Sequence, residues 1–301
     1  MKRRDFLKGC VMCGTAASLG LPGKSFGAGS FEGYPDGMGV LVDLTRCVGC
    51  RSCEAACNRE QKMPEPDLPF DDTSVFEEKR RPTEKALTVV NRYHTEKGPV
   101  YRKIQCNHCN EPACLTSCFV NAYTKTKEGA VIYNPKICVG CRNCMIACPF
   151  NVPGYSYSSA FDPVIKKCVF CYDTRLKNGL PPACVEACPQ EVLTFGKRAD
   201  LIKIGHERIR ENPARYEDHI YGEKEVGGTG WMYLAGVPFD KAGFDTTLQN
   251  EPIISNVKEF LGTVPMVLAI WPALFTGFHL LASRKNDHHD DSHSKQEGPK
   301  S

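Results

Sequence analysis

Three things are scarce in this 301-residue sequence, and each scarcity narrows what the chain can do. The first is charge of one sign. Lys and Arg number 38 against 35 Asp and Glu, a formal net charge of +3. The first 27 residues hold Lys2, Arg3, Arg4, Lys8 and Lys24 against Asp5, so they carry +4 and the remainder about −1 by subtraction. A chain that neutralises many phosphates needs a basic surface, so nucleic-acid binding is disfavoured. The second is catalytic machinery: there is no convincing nucleophile–base constellation, no phosphate-cradling loop and no separate catalytic metal site, so no catalytic residue is assigned. The third is long uncharged runs. One stands out, Phe260 to Ser283.

Cysteine, by contrast, is abundant: the chain has 18. Cys138, Cys141, Cys144 and Cys148, followed by Pro149, form the C-x2-C-x2-C-x3-C-P run of bacterial ferredoxins (motif III). Three closely spaced thiolates can wrap one iron–sulfur cube, and the fourth points away toward a second. Cys47, Cys50, Cys53 and Cys57 repeat the C-x2-C-x2-C-x3-C spacing (motif I). Cys106, Cys109, Cys114 and Cys118 read C-x2-C-x4-C-x3-C (motif II). Cys168, Cys171, Cys184 and Cys188 read C-x2-C-x12-C-x3-C, followed by Pro189 (motif IV). Sixteen cysteines in four groups suffice for four [4Fe–4S] clusters. Disulfides and zinc are the alternatives. A disulfide scaffold does not require triplets at three-residue spacing, and zinc sites built from separated C-x2-C pairs would leave the third cysteine surplus.

An internal repeat supports the ferredoxin pattern. Gly-Val-Leu-Val-Asp-Leu-Thr-Arg-Cys-Val-Gly-Cys-Arg-Ser-Cys (39–53) parallels Ala-Val-Ile-Tyr-Asn-Pro-Lys-Ile-Cys-Val-Gly-Cys-Arg-Asn-Cys (130–144). Each copy begins as a short strand, over 39–44 and 130–133. Gly49 and Gly140 lie between the first two cysteines, where a residue without Cβ lets backbone N–H groups approach sulfur. Residues 58–85 lack apolar periodicity and predict a surface loop, a candidate partner-contact insertion. Residues 86–94 and 99–105 predict a hairpin. A closing strand is expected over 193–196 and a surface helix over 201–211.

Both termini predict topology. Lys2-Arg3-Arg4-Asp5-Phe6-Leu7-Lys8 resembles the twin-arginine export signal, and Ser25-Phe26-Gly27 offers a cleavage site, so Cys10 and Cys13 are not counted as ligands. The 24 uncharged residues of 260–283 would span ~36 Å as a helix, more than the ~30 Å hydrocarbon core. A buried core helix is the alternative. Pro265 and Pro272 are tolerated in membrane helices. Arg284 and Lys285 put the following end in the cytoplasm. His279 is either a functional intramembrane group or a packing residue. The tail with His288, His289, Asp290, Asp291 and His293 is either solvated or a weak metal binder.

These features together resemble the four-cluster iron–sulfur subunits of membrane respiratory oxidoreductases, over nearly the whole chain. The resemblance is sharpest to the electron-transfer subunit of membrane-bound uptake [NiFe] hydrogenase of the hydrogenase-2 type. Tyr221-Gly222-Glu223-Lys224-Glu225-Val226-Gly227-Gly228-Thr229-Gly230, Leu234-Ala235-Gly236-Val237-Pro238 and Lys285-Asn286-Asp287-His288-His289-Asp290 carry it, with the Leu180–Pro189 run beside Cys168. The β subunit of respiratory formate dehydrogenase shares the layout.

The resemblance implies an α+β fold of two ferredoxin-like dicluster halves, one from motifs I and IV and one from motifs II and III, plus a C-terminal transmembrane helix. It implies a signal segment over 1–27 and a periplasmic four-cluster domain over 28–252, with halves 38–60 plus 155–200 and 86–154. A linker and helix over 253–283 and a cytoplasmic tail over 284–301 follow. The implied ligand sets are Cys47, Cys50, Cys53 and Cys188; Cys168, Cys171, Cys184 and Cys57; Cys106, Cys109, Cys114 and Cys148; and Cys138, Cys141, Cys144 and Cys118. Asn58 after Cys57 and Phe119 after Cys118 depart from the proline of the pattern, so a different local turn is expected there. The implied partners are a catalytic hydrogenase or formate dehydrogenase-type subunit and a quinone-reactive integral membrane subunit. Arg51, Arg142, Lys166 and Lys167 are either potential-raising charges or ordinary solvated ones.

Overall fold

Val40, Leu41 and Val42 are completely buried, and the strand that carries them, β1 (Met38–Asp43), is the middle of a three-stranded sheet. The computed structural model describes residues 37–157, 164–255, 264 and 266–280, all within the compact unit Gly33–Ser301. The expected export signal, the ends of the 260–283 span and the tail lie outside the described residues.

After β1 the chain forms α1 (Ser52–Glu60), the hairpin β2 (Val89–Thr95) and β3 (Gly98–Ile104), and α2 (Ala113–Thr116). The hairpin β4 (Tyr123–Lys125) and β5 (Val131–Tyr133) leads to α3 (Asn143–Ala147). A two-residue pair, β6 (Gly154–Tyr155) and β7 (Ile165–Lys166), precedes α4 (Ala183–Glu186). The body closes with β8 (Leu193–Lys197), α5 (Arg198–Glu211) and β9 (Trp231–Leu234).

β1 pairs antiparallel with β8, Met38 opposite Lys197 and Val42 opposite Leu193. On its other edge it pairs parallel with β9, Val40 opposite Trp231 and Asp43 opposite Leu234. Successive strand residues point to opposite faces, and here both faces are covered. Leu41, Met232 and Leu234 pack with Leu201 and Ile209 of α5. Val40, Val42, Trp231 and Tyr233 pack on the other side with Phe170, Tyr221, Phe239 and Phe244. The strands expected over 39–44 and 193–196 are therefore present, and the expected helix begins three residues early, at Arg198. β9 was not expected: its run Trp-Met-Tyr-Leu has no polar alternation, and its partner lies far away in the chain.

The repeat noted in the sequence is a repeat of backbone. Short 3-10 turns, Leu44–Arg46 and Pro135–Ile137, precede the cysteines of motifs I and III. Each is capped by a side chain, Asp43 Oδ1 accepting from Thr45 N at 3.1 Å and Asn134 Oδ1 from Lys136 N at 3.0 Å. Arg51 and Arg142 then adopt the same left-handed conformation, φ 59° and 60°, one residue before α1 and α3. α1 packs on α4, and α2 on α3, so helices of motifs I and IV meet, as do those of II and III.

The 58–85 segment is more than a surface loop. α1 extends through Glu60, and a 3-10 turn, Thr73–Phe76, buries Val75 and Phe76 against Val90. Glu54 anchors the segment from below. Its carboxylate pairs with Arg51 at 3.1 Å and Arg80 at 2.8 Å, and accepts the Val90 N–H at 2.6 Å. Arg51 in turn donates to the carbonyls of Pro69 and Asp72 at 2.9 and 3.0 Å. Arg51 thus has a structural ion pair rather than a solvated charge.

Residues 266–280 are helical, and Met266, Leu268, Trp271, Phe275, Phe278 and Leu280 are all exposed. Among the described residues no helix is long and apolar enough to cross a membrane.

Replacing Glu54 with Ala strands the buried Arg51 guanidinium. The expected loss is about 3–5 kcal/mol of stability, read by denaturant unfolding against the wild-type chain.

Candidate iron–sulfur centre

The cysteine turns are built from left-handed residues that bring backbone N–H groups toward sulfur. Gly49 and Gly140 have φ of 73° and 70°. The Gly140 N–H donates to Cys138 Sγ at 3.4 Å, and Phe170 N–H donates to Cys168 Sγ at 3.4 Å. Gly49 serves Cys47 in the same way. At Gly49 a Cβ would stand 2.4 Å from Tyr101 Cδ1, so the close approach needs glycine as well as the turn does.

The last cysteine of three motifs is followed by a common turn. Asn121, Asn151 and Glu191, each three residues on, are left-handed and donate back to the carbonyls of Cys118, Cys148 and Cys188 at 3.0, 3.1 and 3.2 Å. The next N–H reaches sulfur: Ala122 to Cys118 Sγ at 3.3 Å and Val192 to Cys188 Sγ at 3.4 Å. Cys118 makes this turn with Phe119 in place of proline. The expected departure occurs at Cys57 alone, where α1 runs on to Glu60 and the left-handed residue is Lys62. A proline after Cys57 would disfavour the helical conformation that Cys57 adopts.

The sixteen motif cysteines form no disulfides, and tertiary structure gathers them from distant segments. Cys47, Cys50, Cys53 and Cys188 line one small cavity, together with Lys103. Cys106, Cys109, Cys114 and Cys148 line another, together with Lys167. Cys57 stands close to Cys171 and Cys184, and Cys168 close to Cys57 and Cys171. Cys144 stands close to Cys138, Cys141 and Cys118. Neighbouring groups also touch electrostatically: Cys53 with Cys184, Cys168 with Cys106, and Cys114 with Cys144. The four gatherings therefore form a row.

Burial pushes the thiols up, Cys47 to about 11 and Cys57 and Cys114 to about 12, and neighbouring thiols add to the rise. Such groups ionise only when a cation takes the proton's place. Among the described residues no three His, Cys, Asp or Glu side chains converge closely enough for a single metal ion. An iron–sulfur cube offers each thiolate its own iron, so its four donors stand apart. The observed donor sets fit that group.

Several residues at this centre were not singled out from sequence. His108, between Cys106 and Cys109, and Phe170, between Cys168 and Cys171, occupy equivalent positions and are both fully buried. Their rings stack at 4.9 Å between centroids and 18° between planes, joining motif II to motif IV. His108 Nδ1 accepts the Val131 N–H at 2.9 Å. Burial, reinforced by Lys167, Lys125 and Lys103, holds His108 well below its usual range, so it is neutral. Lys125 Nζ ties the His108 and Cys109 carbonyls at 2.9 Å each. Of the charges noted in sequence, Lys167 is buried, whereas Arg142 and Lys166 are exposed.

Cysteine turns of this kind, carried on short helices and strands, define a ferredoxin-like iron–sulfur protein of mixed α/β content. Residues 99–198 match the 4Fe-4S dicluster domain family. The chain belongs to the family of the hydrogenase-2 operon protein HybA. The Escherichia coli O157:H7 protein of that name is 33% identical over an alignment of 325 positions that covers 96% of this chain and 98% of that protein. A Nitratidesulfovibrio vulgaris protein is 52% identical over 289 residues, 95% of this chain and 78% of the relative. The iron–sulfur subunit of the nitrate-inducible formate dehydrogenase of Escherichia coli K12 is 28% identical over 268 residues, 86% of this chain and 89% of that subunit.

Replacing Gly49 with Ala forces both the left-handed turn and Tyr101 to shift. The expected destabilisation is about 1–3 kcal/mol in thermal or denaturant melts. Gly98→Ala meets no atom within 4 Å and isolates the cost of a positive φ alone.

Proposed function

We propose that this chain is the membrane-anchored electron-transfer subunit of a hydrogenase complex. It would link a hydrogen-oxidising [NiFe] subunit to a quinone-reactive integral membrane subunit through four [4Fe–4S] clusters. The ligand sets are Cys47, Cys50, Cys53 and Cys188; Cys57, Cys168, Cys171 and Cys184; Cys106, Cys109, Cys114 and Cys148; and Cys118, Cys138, Cys141 and Cys144. A cluster of this kind takes up and releases single electrons with little rearrangement of its ligands.

The observation that carries the reading is the row of cysteine sets with open ends. Of the sixteen thiols, Cys50 and Cys141 are the exposed ones. They hold the same position in motifs I and III, and they belong to the first and last sets of the row. The second set is buried and the third partly exposed, and the end sets present these exposed cysteines where a partner can approach. N–H groups such as those of Gly140, Phe170, Ala122 and Val192 donate to sulfur and stabilise added negative charge. The segments around Cys141 also expose Phe119, Ile137, Val139 and Ile146, an apolar surface suited to a protein partner.

The exposed apolar helix over 266–280 supports an anchor over 260–283. With the twin-arginine-like segment at residues 1–27, it supports a reading in which the cluster domain is periplasmic and the C-terminus cytoplasmic. A second reading is the iron–sulfur β subunit of a formate dehydrogenase or related molybdoenzyme, favoured by the likeness to the formate dehydrogenase subunit. The near end-to-end match to HybA, at higher identity, favours the hydrogenase reading.

Hydrogen added anaerobically to gently solubilised complex is expected to bleach the visible iron–sulfur absorbance, and formate is not. Bleaching by formate alone would transfer the chain to the second reading. Cys141→Ser is expected to lower iron per chain by about a quarter, since one of four clusters loses a ligand; unchanged iron counts against the assignment. Deleting residues 260–283 is expected to release the chain from washed membranes, and undiminished binding would assign anchoring to another subunit.

A further inference from the structure

Two buried lysines are supplied to the opposite half of the molecule. Lys103 lies on β3, the strand that leads into motif II, yet its side chain lines the cavity of Cys47, Cys50, Cys53 and Cys188. Lys167 follows β7 and leads into motif IV, yet it lines the cavity of Cys106, Cys109, Cys114 and Cys148. Both are nearly sealed from water, at 4% and 3% exposure.

The oxygens that hold the two ammonium groups are neutral. Lys103 Nζ donates to Thr88 Oγ1 at 2.7 Å and Gln105 Oε1 at 3.1 Å. Gln105 is fixed in turn by donating to Tyr233 Oη at 2.7 Å, and the ammonium lies 4.7 Å from the Trp231 ring centre. Lys167 Nζ donates to the carbonyls of Val131 and Cys168. A buried charge held by neutral groups is costly unless an opposite charge lies nearby. The groups that feel Lys103 are Cys184, Cys53, Cys168 and Cys57, which belong to the first two sets of the row. Lys167 acts on Cys114 and Cys148 of the third.

We propose that Lys103 and Lys167 are exchanged counter-charges: each half of the protein supplies the cation that raises the reduction potentials of clusters held in the other half. The inference rests on the reading that the cysteine sets hold clusters. Reduction adds one electron to a cluster and breaks no bond, so a fixed positive charge beside it favours the reduced form. Both lysines act through the clusters without binding them and are positioning residues. Because each comes from the partner half, the tuning exists only once the halves have docked.

The test is an anaerobic redox titration of the full-length chain, with iron and sulfide counted first and reduction followed by EPR. Lys103→Met is expected to retain full iron and to weaken electron uptake at least tenfold in two clusters, about 59 mV for a one-electron couple. Lys167→Met is expected to weaken a third cluster by a similar factor and to spare those two. Arg46→Met, beside Cys47 but partly exposed and paired with Glu191 at 3.6 Å, is the control and is expected to change uptake less than twofold. Potentials in Lys103→Met within twofold of wild type would overturn the inference. Should Lys103→Met lose iron, Lys103→Gln and Lys103→Arg decide. Full iron and near-wild-type potentials in the Arg variant, with iron or potential lost in the Gln variant, support a requirement for charge. Iron lost in the Arg variant too, or wild-type potentials in the Gln variant, overturns it. A wild-type chain without iron would instead defeat the cluster reading.

Discussion

Convergence of thiols from distant segments is the constraint on which the rest of this structure depends. In both cysteine cavities three members come from one turn and the fourth from far along the chain: Cys188 joins Cys47, Cys50 and Cys53, and Cys148 joins Cys106, Cys109 and Cys114. Satisfying that requirement fixes the packing of α1 on α4 and of α2 on α3. It also explains why such short helices and strands persist. Helices of four and five residues are far below the length at which a helix is stable alone, so tertiary contacts must hold them.

The burial that gathers the thiols creates an electrostatic problem throughout the body. Thiols shielded from water resist ionisation, and every thiolate formed needs compensation. Two kinds of group supply it locally. Backbone N–H groups in left-handed turns donate to sulfur. Buried lysines stand beside the cavities. The Arg51–Glu54–Arg80 cluster instead ties down the 61–88 segment, and its carboxylate pushes the Cys53 and Cys57 thiols further up. The stacked His108 and Phe170 rings lock the two motifs at the middle of the row together, so the spacing of the inner cysteine sets rests on packing that excludes water. A relay that passes charge without rearranging its surroundings benefits from that rigidity.

The surface divides according to the same logic. The thiols of the second set are enclosed, and the first and last sets each present one exposed cysteine at the equivalent position, Cys50 and Cys141. The repeat in sequence thus becomes a body with two similar ends. They differ in what surrounds them, since the segments near Cys141 expose Phe119 and Ile146, at 70% and 84%. The helix over 266–280 exposes Met266, Leu268, Trp271, Phe275, Phe278 and Leu280.

Cysteine spacing by itself determined much of this protein, because spacing of two or three residues is a local property. The turns of motifs I and III, their two left-handed positions, β1, the β2–β3 hairpin, β8 and α5 all follow from residues within one or two turns of one another. Asn58 after Cys57 correctly marked a change of turn, whereas Phe119 did not, because backbone hydrogen bonds to Cys118 make that turn without proline. What only the tertiary structure decided is everything that depends on long-range pairing. β9 exists because Trp231–Leu234 finds β1 nearly two hundred residues earlier. His108 meets Phe170, and Lys103 and Lys167 enter cavities that their own segments do not build. A charge or ring in a sequence carries no record of which distant group it will face; that is set when distant segments pack and water is excluded from between them.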